Sequence, residues 1–147
     1  MSQQFAERRY QVFVSSTFLD LEQERQKVLQ AILEMKAFPA GMELSPSADD
    51  EQWDFIKREI ESSDYYLVVV AAKYGSLGGD AISFTEMEYD FAVSMKKPVM
   101  GFLFHDLGEL KGSLLEQDSE SRLKLDAFRR KVARGRLIKY YRNPDEL

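Results

Sequence analysis

"DYYLVVVAA", residues 64 to 72, decides the fold. After Asp64 the run is aromatic, then β-branched, with no alternation of polar and apolar positions, so neither side of it suits water. A strand of this kind is buried on both faces, as in a parallel sheet covered by helices. Working outward, "YQVFVSS" (10–16) and "PVMGFLF" (98–104) read as further buried strands, and "FPAGMEL" (38–44) and "RLIKYY" (136–141) as weaker ones. Helical patterns fill the intervals. Asp20 is expected to cap a helix whose face holds Leu21, Val28, Leu29, Ile32 and Leu33, with Gln23 completing a capping box. Trp53, Ile56 and Ile60 mark a second helix, and residues 83–95 a third. A basic helix runs from about Ser119 to Arg134. Strands separated by helices at this spacing imply right-handed βαβ crossovers. The expected architecture is a three-layer α/β, flavodoxin-like fold with a parallel five-stranded sheet in the order 2-1-3-4-5.

Composition bounds the functions. A chain of 147 residues, 44% hydrophobic and 31% charged, is most simply one globular domain burying roughly two-thirds of its unfolded surface. No apolar run reaches the ~20 residues of a membrane span, and the start lacks a signal-peptide core. With no cysteine there is no disulfide, thiolate metal site or thiol nucleophile, which fits a cytoplasmic location. A net charge of −5 gives no general case for nucleic acid. The basic block from Arg122 to Arg142 reads as a solvated helix face or a contact for an acidic partner. The acidic connection before it is a complementary surface for self-association. "NPDEL" (143–147) has the form of a cap and first helical turn, with Asn143 capping and Pro144 in first position.

The third helix carries the chemistry. In "SFTEMEYDFA" (83–92), Phe84, Glu88, Phe91 and Met95 recur at helical steps, with Met87 and Ala92 alongside, while Glu86 and Asp90 project elsewhere. A carboxylate aimed at a core is costly unless it has a partner or opens into a cleft, so Glu88 is the candidate catalytic residue. The dipole at the start of its helix is expected to help keep it ionised. In open α/β sheets, ligands sit beyond the carboxyl ends of the strands, where strand order reverses. The exits of the first and third strands, "SSTF" (15–18) and "KYGSLGGD" (73–80), flank that point. Ser15, Ser16, Thr17, Tyr74 and Gly75 are therefore the candidate substrate contacts, with Tyr74 a candidate base-stacking ring, although such a residue is more often a core or rim aromatic.

Other chemistries find no support. "KYGSLGGD" is neither a P-loop nor a GxGxxG turn. The sole histidine, His105, has no GxSxG elbow to serve. No metal-ligand spacing is present.

Three ordered blocks, "VFVSSTFLDLEQER" (12–25), "SDYYLVVVAAKYGS" (63–76) and "SFTEMEYDFAVSMKKPVMGFLF" (83–104), resemble the TIR-like family designated domain of unknown function 4062 (DUF4062). More broadly, "MEYDFAVSMKKPV" is similar to the helix of TIR-domain NAD glycohydrolases and nucleoside 2-deoxyribosyltransferases. Glu88, Ala92 and Lys97 fall at the glutamate, small-residue and lysine places, and Lys96 stands where those proteins have glycine. The resemblance implies an effector or signalling domain in bacterial immune or antiphage defence. Its substrate would be NAD or a related nucleotide, cleaved at the N-glycosidic bond by Glu88 without a cofactor. It implies self-association, or sensor domains of the same protein, as partners, and residues 1–147 as one TIR-like domain heading a longer protein. Two alternatives stay open: a non-catalytic adaptor acting by protein association, and a nucleoside deoxyribosyltransferase or hydrolase.

Overall fold

The computed structural model describes residues 10–16, 21–41, 50–74, 82–105, 119–135 and 137–147. In chain order the elements are β1 (Gln11–Ser16), α1 (Glu22–Glu34), β2 (Phe38–Ala40), α2 (Asp50–Ser62), β3 (Tyr65–Val70), α3 (Phe84–Ser94), β4 (Val99–Phe104), α4 (Ser119–Ala133) and β5 (Leu137–Tyr141), followed by a 3-10 turn at Pro144–Glu146. All five strands pair in parallel in the order β2-β1-β3-β4-β5. The expected α/β fold and strand order are therefore the observed ones.

The pleat of β3 divides the core. Tyr66, Val68 and Val70 face one side, where Ile56 and Ile60 of α2, Tyr89 and Ala92 of α3, and Leu125, Phe128 and Val132 of α4 meet them. Leu67 and Val69 face the other side, against Val28 and Ile32 of α1. Every residue from Tyr66 to Val70 is buried, as the unbroken apolar run requires. Right-handed crossovers produce this division. The chain leaves β1 toward β2 through α1, and leaves β3 toward β4 through α3, so the two helices lie on opposite faces.

Several local expectations change. Leu33 is 55% exposed: α1 buries Val28 and Ile32 as expected, but Glu24 and not Leu33 completes its buried face. Glu24 tolerates burial by accepting a 3.0 Å hydrogen bond from the Tyr141 hydroxyl of β5. The expected Asp20 cap lies outside the described residues. β2 is short: Gly41 follows it at φ 83°, and a Cβ there would come within 2.9 Å of the Phe13 ring. Both α1 and α3 end in Schellman closures, with Lys36 and Lys96 in the left-handed region at φ 61° and 59°. Lys96 thus adopts the conformation that glycine takes without cost. Asn143 caps the final turn by accepting from the Asp145 N–H, as its sequence suggests.

The basic block is partly structural. Arg129 of α4 donates to the carbonyls of Val70 and Ala71, both at 3.2 Å, and of Phe104 at 2.6 Å, holding the ends of β3 and β4 together. Lys131 pairs with Glu86 and Asp90 of α3. Two cations of the expected partner-facing block are thus consumed inside the domain, and the acidic connection lies outside the described residues. Among the described residues no helix is long and apolar enough to cross a membrane.

α4 approaches β4 closely because Gly101 has no side chain. A Cβ there would stand 2.8 Å from both Ile138 Cδ1 and Val132 Cγ1. Gly101→Ala is expected to destabilise the domain by about 1–3 kcal/mol through overpacking. Urea unfolding measures it, and an unchanged midpoint would contradict this packing.

Candidate active site

Ser83 opens α3. Its side chain accepts from the Glu86 N–H at 3.1 Å, and the helix then packs over β1 and β3. Thr85, Tyr89 and Ala92 form its buried face. The expected stripe is rotated: Phe84 and Phe91 are half-buried, and Met95 is 42% exposed. The cause is packing. Ala92, fully buried, lets the helix sit close to the sheet, Tyr89 meets Tyr66, and Phe91 turns toward Trp53 of α2 at 6.3 Å between ring centroids.

Glu88 lies three residues after Thr85 and four before Ala92, on the edge of the buried face. Its carboxyl is enclosed, although part of the residue reaches the surface. Ser15, 1% exposed near the end of β1, donates from Oγ to Glu88 Oε1 at 2.6 Å. Burial pushes the Glu88 carboxyl up to about 7, and the Ser15 hydrogen bond only partly opposes it. This corrects the expectation of a carboxylate kept ionised by the helix dipole. Glu88 is in the second turn of α3, where that dipole has faded, and desolvation wins. Near neutral pH both forms are populated, so the group can hold a proton or oppose a positive charge.

Glu86 has a different environment. It accepts a 2.5 Å hydrogen bond from the Tyr74 hydroxyl and pairs with Lys131, which also reaches Asp90 at 3.0 Å. Two residues of separation thus place one acid in an ion-pair network and the other, among the described residues, against the neutral donor Ser15.

Of the candidate contacts, Ser15 and Glu88 come together where the order reverses between β1 and β3. Ser16, last in β1, alternates to the opposite side of the sheet. Tyr74 is 2% exposed, with its ring edge-on to Phe128 at 6.4 Å and its hydroxyl on Glu86. It presents no ring face for stacking. Thr17 and Gly75 lie outside the described residues. His105 is exposed just after β4. Among the described residues no group of acids and histidine is arranged to hold a metal.

Tyr66 was not legible as a site residue. Fully buried in β3, it shares the sheet face of Ser15, and its hydroxyl feels the charge of Glu88. The available signal was a hydroxyl inside an otherwise apolar run, since buried tyrosine ordinarily needs a partner.

The model of the family described as Domain of unknown function (DUF4062) matches residues 11–147. The chain belongs to the DUF4062 family. A comparison with curated proteins gives no match. Among solved structures, this DUF4062 domain is similar to the Clostridium botulinum CMP N-glycosidase BcmB, at 18% sequence identity and a TM-score of 0.52, with 92% of each chain covered. At that identity the likeness is one of fold.

The Glu88 carboxyl makes stability depend on pH. Its proton is bound more tightly in the folded state, about 7 against an ordinary 4.5. Its favourable contribution is therefore complete below 4.5 and is lost as pH rises through 7. Relative to Glu88→Gln, the parent should lose on the order of 2–3 kcal/mol across that window. Urea unfolding of both proteins at several pH values measures it. A pH-independent difference would contradict a buried, easily protonated Glu88.

Proposed function

We propose that this DUF4062 domain cleaves the N-glycosidic bond of a nucleotide, with Glu88 as the catalytic carboxylate. The observation that carries the proposal is the Ser15–Glu88 hydrogen bond of 2.6 Å at the reversal of strand order, on a carboxyl raised to about 7. A buried acid of this kind marks a functional-site candidate with a physical cause. The position is where open α/β sheets take their ligands. The fold it shares with a CMP N-glycosidase adds support for the bond type.

In this reading the bond between C1′ of the ribose and the base nitrogen breaks, and its electron pair leaves with the base. Water then adds to C1′ and loses a proton, giving a free sugar hydroxyl and free base. The sugar passes through an oxocarbenium-like state. Ionised Glu88 opposes that positive charge and accepts hydrogen bonds from ribose hydroxyls. Ser15 fixes the carboxyl's orientation. Thr17, which follows Ser16 in sequence, and Gly75, which follows Tyr74, are the proposed substrate contacts, with the backbone at Ser16. Tyr74 supports the site from the core by holding Glu86.

Within the nucleotide class, NAD suits a single carboxylate best, because nicotinamide departs as a neutral base and needs no proton. Its cleavage would serve an effector or signalling head in immune defence, the role implied by the sequence resemblance. A nucleoside monophosphate is the other substrate to test, since that class includes the substrate named for BcmB.

Parent, Glu88→Gln and Glu86→Gln proteins are to be incubated at high concentration with NAD, NADP, CMP, other nucleoside monophosphates and free nucleosides. Chromatography then follows nicotinamide and free base. Glu88→Gln should lose on the order of a hundredfold or more in rate, the usual effect of removing one preorganised electrostatic contact. Glu86→Gln should keep substantial activity, because its partners are Tyr74 and Lys131. Parent-like cleavage by Glu88→Gln would remove it from the chemistry. No cleavage by the parent under any condition would favour the adaptor.

A further inference from the structure

The Tyr66 hydroxyl is the buried side-chain polar atom without a hydrogen-bond partner among the described residues. Such a group is costly to leave unmade, and here its ring is firmly held. Tyr66 is 0% exposed, stacks on Phe13 at 5.9 Å with 9° between planes, and meets Tyr89 in a T-shaped contact at 6.3 Å. Register places Tyr66 beside Phe13 of β1, and Ser15 follows Phe13 by two residues on the same face. α3 crosses this face and sets Glu88 on Ser15. Two hydroxyls and one carboxyl therefore converge on a single patch of sheet, and only one of the two donors is used.

We infer that Tyr66 is a positioning residue for Glu88. Its hydroxyl is a reserve donor that turns to the carboxylate when Glu88 ionises, completing a Ser15–Glu88–Tyr66 set. When Glu88 is protonated, Ser15 alone suffices and the Tyr66 hydroxyl is left without a partner among the described residues. When the proton leaves, the charge gains a second donor, Tyr66 keeps its own proton, and the carboxylate is fixed from two sides. The surroundings favour this pairing. After burial, the Glu88 charge is the largest influence raising the Tyr66 hydroxyl, ahead of Tyr89 and Asp90, while Ser15 acts in the opposite direction without meeting full hydrogen-bond geometry. Among the described residues, α2 contributes uncharged Ile56 and Ile60 to this face, and Lys131 of α4 is engaged by Glu86 and Asp90.

The consequence for rate rests on the proposed reaction, but the hydrogen-bond set does not, and it is read directly. Carbon-13 NMR of glutamate side-chain carboxyls follows the Glu88 titration, with its signal assigned by its loss in Glu88→Gln. In Tyr66→Phe the Glu88 midpoint should rise by about one pH unit, a tenfold change in proton affinity, because a donor to the charged form is gone. The Tm should be unchanged or higher, since the lost hydroxyl had no partner in the protonated protein. If cleavage is detected, its pH–rate profile should move by the same amount with KM unchanged. In the parent, the Tyr66 hydroxyl proton should shift downfield as Glu88 ionises, a readout that stands even if the variant does not fold. An unchanged Glu88 midpoint in folded Tyr66→Phe, or a hydroxyl proton indifferent to Glu88 ionisation, overturns the inference. Absence of cleavage with every substrate would sink the proposed function and leave this titration result standing.

Discussion

Parallel pairing of β1 with β3, while the chain departs from them in opposite directions, sets α1 and α3 on opposite faces of the sheet. The carboxyl ends of the two strands are left side by side at the reversal. A residue near the end of β1 and a residue in the first half of α3 must then meet there, and those residues are Ser15 and Glu88. The same pairing stacks Phe13 on Tyr66 and brings the tyrosine hydroxyl into the group. A buried carboxyl is tolerated because it has one good donor and can stay protonated near neutral pH, which lowers the desolvation cost that a permanent charge would carry.

Glu86 and Glu88 show how environment divides like residues. Glu86, Asp90 and Lys131 form a partly exposed network that ties α3 to α4, and Tyr74 extends it to the segment that follows β3. Arg129 closes the adjacent strand ends through three carbonyls. Neither cation is directed at Glu88, whose raised proton affinity follows from burial alone, moderated by Ser15. Had Lys131 instead paired with Glu88, the carboxylate would be ionised and satisfied, and less able to respond to a ligand. The polar groups of α4 thus stabilise the fold around the candidate site, and among the described residues the hydrogen-bond partner of Glu88 is the neutral Ser15.

The strands were legible because β3 is apolar throughout and therefore buried on both faces, which fixes the layers and, with handed crossovers, the strand order. Glu88 was legible as an acid at odds with its helix face. Its exact neighbours were not, because periodicity locates a face only to within a residue or so. The close seat of Ala92 and the Tyr66–Tyr89 contact rotated the buried stripe away from Met95. Tyr74 reads the same in sequence whether it stacks on a ligand or packs edge-to-face with Phe128; the tertiary partner Glu86 decided its place. Arg129 and Lys131 could not be separated from a solvated basic face, since their acceptors come from strand ends and a helix far away in sequence. Tyr66 was hidden for the converse reason. It satisfies the pattern of a core strand, and only a hydroxyl without a partner among the described residues sets it apart.

The central claim is that a ribosyl ligand sits at the Ser15–Glu88 pair. The most direct measurement is chemical-shift mapping of isotopically labelled Glu88→Gln protein, titrated separately with NAD and with a nucleoside monophosphate. Saturable shifts concentrated at Ser15, Ser16, position 88 and the ends of β1 and β3 are the predicted result for at least one of the two. Saturable shifts confined to another surface, such as the outer face of α1, or no shifts with either ligand, would contradict it.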